Sequence, residues 1–188
     1  MHIAGFALLA VSLSTVLLAA PRADDPVVFA CLKSETYVGG SVVSSGKQEA
    51  SQIFDSIGIQ LLWSCDKQTA RNPIFIRLAA FAPRGLRKGA LAFALPFARQ
   101  GVRITAFYDR LEPILQEHLS FAGSIFGHVL AHEIAHVLAR VDWHAKTGLM
   151  QARWNEEDFA SMKFHALGFV PEDGRWIRES VAREEPVE

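Results

Sequence analysis

The stretch from 121 to 141, FAGSIFGHVLAHEIAHVLARV, constrains this chain more than any other. It is too long and too evenly apolar for a strand, and its spacing is that of a helix. At 100° per residue, Leu130, Ile134, Val137, Leu138 and Val141 fall on one stripe, while His128, His132 and His136 project from the opposite side. A helix with such a stripe must be covered by another layer. The expectation is a helix packed on a sheet, with its histidines facing a cleft.

The preceding chain offers that sheet. Four apolar runs, IQLLW (59–63), PIFIRLAAF (73–81), ALAFALPF (90–97) and VRITAFYDRL (102–111), are rich in β-branched and aromatic residues and are bounded by Asn, Pro and Gly. They read as strands. Pro96 suits an edge position, because it has no N–H to give to a ladder. Lys47 to Ser56 has helical spacing, with Ala50, Ile53 and Phe54 on one side and Gly58 as its stop. Residues 24–46 read as an extended leading segment or a strand with its turn. Beyond Pro113, ILQEHLS is helical, and a last helix is expected from Asn155, which with Asp158 forms a capping-box pattern, to about Ala166, with Gly168 ending it. The charged tail from Arg178 reads as frayed. The fold class is therefore α+β: a small mixed sheet packed on the histidine-bearing helix, with a short C-terminal helical subdomain.

A length of 188 residues suits one domain, and 50% hydrophobic with 21% charged residues excludes disordered, collagen-like and coiled-coil chains. The formal charge of -1 argues against nucleic acid as a partner. Arg84, Arg87 and Lys88 read as a solvated turn. At the N-terminus, Phe6 to Ala20 carries no charge and is followed by Pro21, Arg22 and Ala23. That is the shape of a secretion signal, and it falls short of the roughly 20 apolar residues a spanning helix needs. Cleavage is expected between Ala19 and Ala23. Residues 1–23 are thus read as a signal peptide and 24–188 as the mature domain, secreted or periplasmic, with no stable membrane anchor after cleavage. An even pair of cysteines in an exported chain, Cys31 and Cys65, is expected to form one disulfide.

Within the long helix, His132, Glu133 and His136 spell HEIAH. Residues four apart are offset by only about 40° and about 6 Å of rise, so two imidazoles converge on one ion. Glu133 stands beside that ion without ligating it, where it can hold a water as general base. A catalytic zinc needs a third protein ligand and an open fourth position. The candidates are His144, eight residues after His136 and just past the helix end, Asp142, and Glu156. Glu156, Glu157 and Asp158 also fit the first turn of a helix, where the macrodipole favours acids. His128 lies about 12 Å from His136 along the axis and cannot share the ion, so it reads as supporting or core. His118 and His165 read as ordinary helix residues.

The stretch HEIAHVLARVDWHAKTGLM resembles the active-site segment of the zincin metallopeptidases, and most of all their metzincin branch. There HExxH is followed by Gly at plus three, His or Asp at plus six, and a methionine in a tight turn beneath the metal. Here Ala139 stands in the glycine's place, Asp142 at plus six, and no tyrosine follows Met150. The stretch is also similar to small secreted bacterial zincins with a His at plus eight, then Gly-Ile/Leu-Met and a Trp. In that comparison His144 is the third ligand, Met150 the turn methionine and Trp154 the matching tryptophan. The resemblance implies a zincin-like domain, one catalytic Zn2+ held by His132, His136 and His144, and hydrolysis of an extended peptide laid along the strand ALAFALPF. The alternative is a non-catalytic secreted zinc-binding or peptide-binding protein on the same scaffold.

Overall fold

The run Val27–Ser34 (β1) and the run Gln60–Trp63 (β2) pair in parallel, joined by the helix Gly40–Asp55 (α1). These and the following elements belong to a computed structural model that describes residues 25–66, 68–70, 72–87 and 89–184. The expected signal at 1–23 lies outside the described residues. Ile74–Ala79 (β3) pairs in parallel with β1 on its other side, and Val102–Phe107 (β5) pairs in parallel with β3. The short strand Ala92–Ala94 (β4) closes the sheet antiparallel to β5, giving the order β2-β1-β3-β5-β4.

One face of this sheet is the core. In β3, Ile74, Ile76 and Leu78 are buried while Arg77 between them is exposed, the period-two alternation of a strand covered on one side. The register carries the apolar row across the sheet: Leu32 lies opposite Ile76, Ile76 opposite Ile104, and Ile104 opposite Ala94. On the open face Arg77 pairs with Glu35 at 3.7 Å. Two helices cover the buried face, α1 and Ala122–Ala139 (here α3), with Phe54, Ile53, Phe126 and Ile125 among the fully buried side chains between them. Each such side chain contributes roughly 1.5–3 kcal/mol through removal from water.

The helix α1 begins at Gly40, ahead of the expected Lys47. GSVVSSGK has poor helix propensity, but its small residues let α1 approach α3 closely. A β-carbon on Gly46 would lie 2.7 Å from Phe126 Cδ1, and one on Gly127 would lie 2.7 Å from the Gly46 carbonyl oxygen. Tertiary packing overrides propensity there. The leading segment likewise holds a strand between two others: β1 lies inside the sheet, and Cys31 bridges to Cys65 across 34 residues. By loop-closure entropy that bridge stabilises the fold by roughly 3–4 kcal/mol.

Three further expectations are corrected. The run 102–111 is strand only to Phe107; Tyr108–Glu117 (α2) is already helical, with Pro113 inside it. Asp109 sets this start, since its carboxylate accepts from the Ala82 N–H at 3.0 Å and its own N–H donates to the Ala80 carbonyl at 3.1 Å. The expected last helix is Glu156–Met162 (α4), capped by Asn155 and Asp158 as read but ending short of Ala166. The tail is a helix, Pro171–Glu184 (α5), rather than frayed chain. Ile177 and Val181, four apart, are buried, and Arg178 donates to the Ile57 carbonyl at 3.0 Å. Among the described residues no helix is long and apolar enough to cross a membrane.

The α1–α3 contact yields a direct expectation. Gly127→Ala forces a methyl onto the Gly46 carbonyl and should lower stability by about 1–3 kcal/mol. Urea unfolding of the variant should show a lower midpoint with the slope unchanged; an unchanged midpoint would mean the helices are not in this close contact.

Candidate metal centre

Nearly every residue of α3 is buried, on the histidine side as well as the stripe side. As expected, His132 and His136 face a cleft, while His128 does not line it; the chain that follows covers much of this side, leaving His132 and His136 only 8% and 5% exposed. Burial explains how the two rings are held. His132 Nδ1 lies 2.9 Å from the Leu149 carbonyl oxygen and His136 Nδ1 lies 2.9 Å from that of Val141. A carbonyl only accepts, so each Nδ1 carries the proton and donates it. Both Nε2 atoms are then bare, and they face each other at 3.0 Å.

Two lone pairs at that distance call for a cation between them. The protonation of the rings agrees. Burial above all, then repulsion by His136 and His144, pushes the His132 pKa down to about 3. His136 is lowered chiefly by burial, and His144 by burial and by the charge of Arg87. A metal ligand must be neutral imidazole, which is the form this environment enforces.

The third ring comes from beyond the helix. Arg140 ends α3 in the left-handed conformation, φ 54° and ψ 48°, and the chain reverses so that the Val141 N–H reaches the His136 carbonyl. Ala139 continues the helix, so the turn falls one residue later than the glycine of the resembled motif would put it. The loop then carries His144 to the other two rings. Its ring centroid lies 5.3 Å from that of His132 and 4.9 Å from that of His136. The ligand atoms of the three histidines lie within 4.8 Å of one another, a cluster able to hold a metal ion. Just after it, the Ala145 N–H donates to the Met150 carbonyl at 2.8 Å, tying the loop to the turn at Met150. Met150 is buried and lines the same small cavity as Ala135 and Ala139 of α3.

Of the other candidates, Asp142 stands close enough to raise the pKa of both His136 and His144 by its charge, but it is outside the cluster. Glu156 opens α4 at the surface and is also outside it. His128 is fully buried in the core. Trp154 donates its indole N–H to the Leu149 carbonyl at 3.2 Å, the same oxygen that orients His132. The two orienting carbonyls, of Leu149 and Val141, were not legible as site residues, because main-chain acceptors leave no mark in side-chain identity.

The cluster sits at the wall of a cleft of about 680 Å3 lined also by Glu133, Asp142 and residues of β4. Glu133 is 8% exposed, has no hydrogen bond or ion pair among the described residues, and burial pushes its carboxyl up to about 8. The strand β4 borders the cleft with an edge that no described strand covers. The loop before it is pinned by Arg110 of α2, whose Nη1 donates to the carbonyls of Arg87 at 2.8 Å and Ala90 at 2.7 Å.

The sheet, the helix α3 and the cluster define an α+β domain with a three-histidine site able to hold a metal ion. No family model matches the sequence, and no curated protein matches it. Among solved structures the chain is similar to archaemetzincin from Methanopyrus kandleri, with a TM-score of 0.51 and 11% identity over 86% of this chain and 99% of that one. It is also matched to myroilysin, with a TM-score of 0.38 and 15% identity over 79% of this chain and 65% of that one. The archaemetzincin likeness, over 86% of this chain, bears out the expected α+β, zincin-like fold.

The left-handed turn is testable by itself. Glycine tolerates a positive φ and valine does not, by about 1–2 kcal/mol. Arg140→Gly should therefore unfold at a higher midpoint than Arg140→Val; equal stability of the two would exclude a left-handed residue at the helix end.

Proposed function

We propose that the chain is an exported zinc endopeptidase, with one Zn2+ held by His132, His136 and His144 and with Glu133 as its catalytic base. The observation that carries this reading is the convergence of three imidazoles, two of them with bare, opposed Nε2 atoms, on a cleft that also holds a buried carboxyl. Three nitrogen ligands with one side open to a cleft suit catalytic zinc, whereas a structural zinc site is closed by a fourth protein ligand. When bound, zinc supplies Lewis acidity toward a carbonyl oxygen and lowers the pKa of water toward 7.

The chain's own residues account for the remaining work. With the positive charge of the bound ion beside it offsetting the burial that raises its carboxyl, Glu133 would be ionised, accept a proton from the attacking water at its carboxylate and return it to the departing amine nitrogen, acting as general base and then as general acid. A structural metal site would have no use for that carboxyl. The carbonyls of Leu149 and Val141 hold the ligand rings in the tautomer that leaves Nε2 free. The open edge of β4 offers the main-chain N–H and C=O groups of Ala92 and Ala94 to an extended peptide, which would add to the sheet as a further strand. Leu91, Phe93, Ile114, Val129 and Phe159 give the cleft an apolar lining for the peptide's side chains. The Cys31–Cys65 bridge fits an oxidising compartment outside the cytosol.

Two measurements test this. Glu133→Gln should lose about 10²- to 10⁴-fold in turnover of a peptide library while keeping its zinc; a wild-type protein that binds zinc yet cuts no peptide in the library would leave the non-catalytic binding alternative in its place. His144→Ala should weaken zinc binding by more than the roughly 10- to 100-fold that outer partners of a ligand carry, and Asp142→Ala by no more than a few-fold. Equal zinc retention in both, by metal analysis of the purified proteins, would remove His144 as a ligand.

A further inference from the structure

His128 is the one histidine of α3 that the metal centre leaves aside. Its Nε2 accepts the Leu167 N–H at 2.7 Å, so its Nδ1 carries the proton and donates to the Ser124 carbonyl at 2.7 Å. Among the described residues, the charged group paired with it is Glu49 of α1, at 4.0 Å. Burial lowers its pKa, so the ring is kept neutral and its Nε2 stays an acceptor.

From Leu167 a short series of main-chain bonds leads to the metal centre. The next carbonyl, that of Gly168, accepts the Leu149 N–H at 2.9 Å. The carbonyl of Leu149 in turn accepts His132 Nδ1–H at 2.9 Å. There is little slack between these segments. Gly148 has φ 77°, and a β-carbon on it would lie 2.9 Å from the Gly168 oxygen. One imidazole, His128, therefore holds the backbone segment against which the turn carrying the His132 acceptor is braced.

We infer that His128 is a positioning residue for His132: by holding Leu167 and Gly168 in place it fixes the Leu149 carbonyl and hence the tautomer and orientation of a metal ligand one turn further along α3. The inference rests on the reading of His132 as a zinc ligand. A purely apolar core residue at 128 would fill the same volume but leave the Leu167 N–H unanswered, and the 167–168 segment would then be free to shift, taking the turn with it. Outer partners of metal ligands typically carry about 10- to 100-fold in affinity.

The test compares zinc dissociation constants, measured by competition with a chromophoric chelator, alongside thermal midpoints. His128→Asn keeps a donor for Ser124 but is too short to reach Leu167, and should weaken zinc binding by about 10-fold or more. His128→Gln reaches Leu167 with its carbonyl oxygen and should recover most of that loss. Phe126→Leu, a core change in the same helix that does not touch the series, should lower the midpoint while leaving the zinc dissociation constant within about 2-fold of wild type. Wild-type affinity in His128→Asn, no recovery in His128→Gln, or equal weakening in Phe126→Leu would overturn the inference. Should the Asn variant not fold, His128→Ser, which also leaves Leu167 unanswered, is read in its place. A wild-type protein that binds no zinc would instead overturn the proposed function itself.

Discussion

The structure depends on two imidazole N–H groups giving their protons to main-chain carbonyls. Because Leu149 and Val141 accept from His132 and His136, each ring is left with a bare Nε2, and the 3.0 Å between those atoms has no comfortable occupant other than a cation. Burial reinforces the arrangement by penalising the charged ring, and it outweighs the opposing pull of the Leu149 and Val141 carbonyls and of Asp142. The carbonyls come from two different returns of the chain, the reversal at Arg140 for His136 and the turn before Met150 for His132, so both loops must be in place before the pair of rings is oriented.

That requirement explains why so much of the fold is spent on covering one helix. α3 is buried nearly all round: the sheet and α1 take one side, and α5 and the segment carrying the 148–151 turn take the others. The glycines at 46, 123 and 127 let α1 approach until backbone meets backbone, which fixes α3 against the sheet. With α3 fixed, β4 falls along the cleft beside the histidines, and Arg110 holds the loop that leads into it. The antiparallel edge and the three-imidazole cluster thus border the same cleft as a result of packing.

Much of this was legible from residue patterns, and the failures have physical reasons. The strands β2, β3, β4 and β5 were read from their β-branched and aromatic runs, and the α4 capping box from Asn155 and Asp158. The first half of α1 was missed because its small residues are chosen for contact with α3 rather than for helix propensity. The start of α2 was missed because Asp109 is fixed by the loop after β3, far away in sequence. The tail was taken for frayed chain because its charges outnumber its apolar residues, yet Ile177 and Val181 supply enough of a stripe to dock it beside α3. Of the three histidines expected to face a cleft, His132 and His136 do, whereas His128 is covered by the Leu167 segment, which local periodicity cannot place.

By itself the sequence determined that His132 and His136 share one helix face with Glu133 beside them, since that follows from 3.6 residues per turn, and that the chain carries one long apolar helix and several short strands. The resemblance pointed to His144, and tertiary structure decided that His144, and neither Asp142 nor Glu156, joins those two rings, that His128 turns to the backbone of Leu167, and that His132 and His136 each meet a particular carbonyl. The division is one of range. Periodicity acts within a turn or two of helix, whereas the position of a main-chain carbonyl from a distant loop is set by the packing of the whole domain.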